Sequence, residues 1–145
     1  MQAILKNLLS ELHTLYFKPN GFTKKRHRFS RQVDSVMQEI EFQSSQWNSA
    51  GEPVGFYVNI HCGFADILMR DGKPALTGTG RIEGLAPGAH AMFDLTRPNF
   101  AAIRDQLIPL LATAMRELPE HYEDIRTRAQ QGWHTPVPLP ATWRV

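Results

Sequence analysis

Glu39 and Glu41 stand two residues apart, and His61 lies in the next apolar-rich segment. Paired carboxylates beside an imidazole can do acid–base work when burial or like charge separates their pKa values. The same three residues on a solvated sheet face would do no chemistry. Nothing in the sequence marks a cleft or an oxyanion hole, so no catalytic residue is assigned. The histidines are His13, His27, His61, His90, His121 and His134, and no two share a ligand spacing such as i, i+4 on one helix. Glu117 and His121 lie four apart, a spacing that suits a helix-surface pair. A single cysteine, Cys62, excludes a thiolate zinc site within the chain and an internal disulfide. Its place on the apolar parity of a strand predicts a small core residue rather than a reactive thiol. No metal and no cofactor are expected.

A second group is electrostatic. The net charge is only +2, yet Lys18, Lys24, Lys25, Arg26, Arg28 and Arg31 place six positive charges in one stretch without an acid. Such a cluster attracts phosphates or an acidic protein surface, unless it is merely a solvated connection between a helix and a strand. Lys24, Lys25, Arg26, Arg28 and Arg31, with Arg81, are the anion or nucleic-acid candidates, and Phe29 and Tyr57 supply aromatic faces for stacking. The small net charge, the lack of a nucleic-acid fold signature and the lack of a glycine-rich phosphate loop make nucleic acid the lesser expectation.

These residues need elements to hold them. The central pair is Val36 to Ser44 and Val54 to Phe64, two strands joined by a polar turn from Ser45 to Pro53. In the second, Phe56, Val58, Ile60, Cys62 and Phe64 share one parity while Tyr57, Asn59 and His61 share the other, as in a half-buried strand. In the first, Val36, Ile40 and Phe42 face inward, with Gln38 the exception, and Glu39, Glu41 and Gln43 face away. Residues Gln2 to Tyr16 carry apolar residues at helical spacing, and Pro19-Asn20-Gly21 ends that helix. Thr23 to His27 is expected as a link and Arg28 to Val33 as a short strand, with Asp34-Ser35 as the turn that follows. Asp71-Gly72-Lys73-Pro74 reads as a turn and Thr77-Gly78-Thr79-Gly80 as a flexible one. Arg81 to Leu85 is expected as a fourth strand and Ala91 to Leu95 as a fifth. Helices follow from Asn99 to Leu118, kinked or split at Pro109, and from Pro119 to about Gln130. The Pro-rich tail, 133–145, is expected to lie extended. The order predicts a single α+β domain over 1–145: an antiparallel sheet of four or five strands with an N-terminal helix and C-terminal helices packed on one face. The longest apolar run is far short of the roughly 20 residues of a membrane span. The N-terminus lacks the pattern of a secretory signal, so a cytoplasmic location is expected.

Gly21-Phe22, Lys24-Lys25, Phe29, Arg31, the run Ile40 to Asn48 and Phe56 to Ile60 together resemble a bacterial family, domain of unknown function 4304. Its members carry patterns like "GF-x-K", "F-x-R", "N-x-Q-x-S" and "F-T-x-N", and Arg81-Ile82-x-x-Leu85 resembles its "R-I-G-x-L". Phe93-Asp94-Leu95 departs where relatives often carry paired tryptophans, and Glu41 stands where an Asn or a hydrophobic residue is expected. The resemblance covers about Leu5 to Leu118 and implies an α+β fold with little chemistry. Small, variable bacterial domains of this type often include immunity proteins.

The expectation that follows is a non-enzymatic protein-binding module, with neutralisation of a basic toxin as its most concrete form. Its candidate contacts are Glu39, Glu41, Gln43, Trp47, Tyr57, Asn59 and His61. The alternative is a small-ligand or nucleic-acid binder using the basic stretch.

Overall fold

The computed structural model describes residues 1–68 and 74–131, together with the short stretch Val137–Pro138. The tail, apart from that stretch, and the Asp71-Gly72-Lys73 turn lie outside the described residues. Helix α1 (Ala3–Leu12) buries Leu5, Leu8, Leu9 and Leu12. It continues into a single π-helical turn, His13–Phe17, and a 3-10 turn that closes at Gly21. Gly21 has φ 82°, a conformation that side chains with a Cβ resist, which is why the helix stops there.

The strands are β1 (Thr23–Lys25), β2 (Arg28–Val33), β3 (Val36–Ser44), β4 (Val54–Leu68), β5 (Pro74–Arg81) and β6 (Phe93–Leu95). They run antiparallel in the order β1-β2-β3-β4-β5, and β6 pairs with the start of β4. A two-residue β7 (Val137–Pro138) adds to β5 in parallel. Helices α2 (Phe100–Glu117) and α3 (Tyr122–Gln130) complete the α+β domain. Among the described residues no helix is long and apolar enough to cross a membrane.

The central hairpin has the expected parity. Ile40, Phe42, Phe56, Val58, Ile60, Cys62 and Phe64 are all buried, and they share one core with α1, α2 and α3. Phe17 stacks on Phe29 with ring centroids 3.8 Å apart, and each fully buried phenyl contributes about 1.5–3 kcal/mol through area removed from water. Pro109 lies inside α2 without splitting it.

Two expectations are corrected. Thr23 to His27 is not an unstructured link: its first three residues form the edge strand β1, and Arg26-His27 make the turn into β2. The strand expected at Arg81 to Leu85 lies earlier in the chain, as β5, and Ile82–Gly84 is a 3-10 turn. The glycines that suggested a flexible turn are strand residues, and at Gly78 the packing demands one. A Cβ on Gly78 would lie 2.9 Å from Cys62 Sγ and 3.0 Å from Ile125 Cδ1. That position stays small so that α3 can pack on the sheet.

Candidate functional site

Antiparallel register decides which charges meet. Arg28 lies opposite Glu41, Glu39 opposite His61, Glu41 opposite Asn59, and Gln43 opposite Tyr57. On the next strand Thr79 faces His61 and Arg81 faces Asn59. All of these side chains point away from the core, because side chains of one parity share a face. The face is therefore a single polar surface drawn from four strands.

Its charges are largely satisfied internally. The Arg28 guanidinium donates to Glu39 Oε2 at 3.0 Å and reaches Glu41 Oε2 at 2.8 Å. His61 Nε2 lies 3.3 Å from Glu41 Oε1, and Thr79 Oγ1 lies 2.8 Å from His61 Nδ1. Asn59 Nδ2 donates to Glu41 Oε1 at 3.2 Å and to Gln43 Oε1 at 2.9 Å. The Arg81 guanidinium sits 4.0 Å above the Tyr57 ring. His27, from the β1–β2 turn, approaches Glu41 Oε2 at 3.8 Å. Burial raises the pKa of Glu41, but hydrogen bonds from Asn59 and His61 and the charge of Arg28 outweigh it, so the carboxyl lies below its usual value.

The sequence of hydroxyl, imidazole and carboxylate through Thr79, His61 and Glu41 has the order of a nucleophilic relay. With the Thr79 hydroxyl donating to Nδ1, the Nε2 proton points at Glu41 and every partner is used. The backbone of Thr79 is laddered at His61 on one side and at Pro138 on the other, and free amides of the kind that stabilise an oxyanion are not part of such a strand centre. The arrangement fits a pre-set hydrogen-bond network better than a nucleophile. Cys62 is fully buried on the other face, and burial pushes its thiol pKa up to about 12, which fits a packing role. Among the described residues no three His, Cys, Asp or Glu side chains gather as a metal cluster.

The basic stretch does not stay together. Arg28 joins the polar face, and Lys25, its register partner, lies at the edge of that face. Arg31 turns to the core side. It donates to Gln38 Oε1 at 2.8 Å and to the Asn20 carbonyl at 2.9 Å, with its guanidinium 4.5 Å from the Phe22 ring. Gln38, only 2% exposed, in turn donates to the Tyr122 hydroxyl at 2.7 Å and ties α3 to the sheet. Lys24 pairs in register with buried Phe29, on the same side as α1, and Arg26 occupies the turn.

Trp47 stands apart from all of this. The turn that carries it is fixed by Asn48, which donates to the Gly55 carbonyl and accepts from the Gly55 amide, both at 2.8 Å. Ser45 Oγ accepts from the Trp47 amide at 3.2 Å. The indole itself is 83% exposed.

Thr79 and Lys6 are polar residues of these surfaces that are not among the candidates drawn from the sequence. Thr79 was legible in principle, because Thr77, Thr79 and Arg81 alternate with glycines at the period of a strand. Lys6 lies on the exposed flank of α1 and lines a pocket with Lys24 and Arg26. Helical periodicity marks such a flank only as solvated.

No curated protein and no solved structure matches the chain. The sequence model of the domain of unknown function DUF4304 matches residues 14–118, which hold β1 to β6 and α2, and the chain belongs to that family.

Proposed function

We propose that the domain is a non-enzymatic protein-binding module whose contact surface is the polar sheet face and the Trp47 turn at its end. The observation that carries this reading is the exposed indole, carried on a hydrogen-bonded turn that follows the end of β3. An aromatic anchor that buries little within its own domain, on a backbone that is already fixed, loses less entropy on meeting a partner. The amides of Gln43 and Asn59 and the Arg81–Tyr57 pair supply a polar surround.

Neutralisation of a basic toxin in a bacterial cytoplasm is the most concrete form of the reading. Glu39 and Glu41 would meet the toxin's cations in competition with Arg28. Because Arg28 already holds both carboxylates, recognition depends more on the indole and the amides than on net charge.

The test is a high-salt pull-down from the source organism with the wild type, Trp47→Ala and a control change on the far side of α2, Gln106→Ala. A stoichiometric protein retained by the wild type and by the control, and lost with Trp47→Ala, supports the reading. Equal retention by all three, or no protein with any, overturns it.

A further inference from the structure

At the corner where α1 passes the β1–β2 turn, a pocket of about 370 Å³ is lined by Met1, Lys6, Leu9, Lys24, Arg26 and His27. Its volume lies within the range of sites that hold small organic ligands. Leu9, 2% exposed, forms an apolar floor, and Lys6 stands three residues before it on the same helix face. Lys24 reaches the corner because strand alternation sends it to the α1 side, opposite its neighbour Lys25.

Two features mark these cations. First, among the described residues the lysine side chains, Lys6 and Lys24 included, make no ion pair or hydrogen bond, and Arg26 is the arginine that shares this state. Every other described arginine is engaged: Arg28, Arg97, Arg104, Arg126 and Arg128 with carboxylates, Arg31 with Gln38, Arg116 with Thr113, and Arg81 over Tyr57. Second, Arg26 is held at φ 58°, in a left-handed conformation that costs a residue with a Cβ roughly 1–2 kcal/mol and is normally given to Gly or Asn. Asp34 holds the same place in the β2–β3 turn at φ 56°, so the hairpin sets the conformation, and what marks Arg26 is that its side chain gains no partner within the fold. Like charges gathered around a partly apolar hollow also repel one another until an anion enters.

We propose that this corner binds a small phosphate monoester with an apolar or aromatic body. The dianionic head would be held by the Arg26 fork and the two ammonium groups, and the body would lie on Leu9 and the lysine stems. A monoester suits the site better than an internal phosphodiester of a nucleic acid, because the cations converge on one hollow instead of lining a track. The proposal is independent of the protein-binding reading, which uses the other face of the sheet.

The experiment is calorimetric titration of the full chain with phenyl phosphate, with inorganic phosphate and phenol as its two halves. The proposal expects phenyl phosphate to bind at least about tenfold more tightly than either half. Lys6→Gln/Lys24→Gln/Arg26→Gly should weaken it by about tenfold or more, while Lys18→Gln leaves it unchanged. Glycine keeps the left-handed turn, and thermal melting of each variant confirms that the fold is intact. No measurable binding of phenyl phosphate, equal binding of inorganic phosphate, or full affinity in the triple variant overturns the proposal. So does tighter binding of an oligonucleotide without a terminal phosphate that depends on Lys25 and Arg28.

Discussion

The polar sheet face and the α1 corner draw on one basic stretch and treat its charges in opposite ways. On the face, Arg28 lies between two glutamates that are 14% and 17% exposed, and Glu41 also accepts from Asn59 and His61. At the corner, Lys24 and Arg26 have no anionic partner among the described residues. Charge density in a sequence therefore says little about availability. The fold consumes Arg28 and Arg31 as structural groups, while Lys24 and Arg26 line one pocket with Lys6 and stay available to a ligand.

The largest effect is expected where a charge has been taken furthest inward. Gln38→Ala removes the acceptor of Arg31 and the donor to Tyr122 from a nearly closed site. Chemical denaturation should show a loss of about 2–3 kcal/mol, since buried polar groups are left unpaired. A loss near zero would mean that the core side holds Arg31 no more firmly than the corner holds Arg26.

On the face the expected effect is smaller. A double-mutant cycle of Arg28→Ala and Glu41→Ala should give a coupling of about 1 kcal/mol, because the arginine is 45% exposed and screened while the carboxylate is mostly covered. Acid should weaken the same pair. The pKa of Glu41 is depressed by folding, so its contribution is full above the unfolded value and is lost as pH falls through the folded one. Melting curves of the wild type and Glu41→Gln should therefore differ most near neutral pH and converge below the ordinary carboxylate range. The smallest effect belongs to Trp47→Ala, which should change stability by no more than about 0.5 kcal/mol because the indole is exposed. A larger loss would make Trp47 a packing residue and remove the observation on which the protein-binding reading rests.

Much of this architecture was legible because alternation is a strong signal. Phe56 to Phe64 announced both the core face and the polar face, and Gln38 stood out as the polar residue on the wrong parity. Its partner was not legible, since Tyr122 lies 84 residues away and reaches it only through the packing of α3. Arg31 was misgrouped with its neighbours in sequence because proximity along the chain ignores which face a strand residue occupies. The glycines of β5 suggested flexibility, although Gly78 is small to admit Ile125. The corner was hidden for a related reason: Lys6 and Arg26 belong to different elements, and neither pattern alone describes a pocket.

The most direct test of the contrast is a side-by-side thermal melt of Arg28→Gln and of Lys6→Gln/Lys24→Gln/Arg26→Gly in the same buffer. The single change should lower the melting temperature by a few degrees, at about 2–4 °C per kcal/mol for a chain of this size, while the triple change should leave it level or raise it. A triple variant that loses as much stability as Arg28→Gln would contradict the claim that the corner's charges are held for something other than the fold.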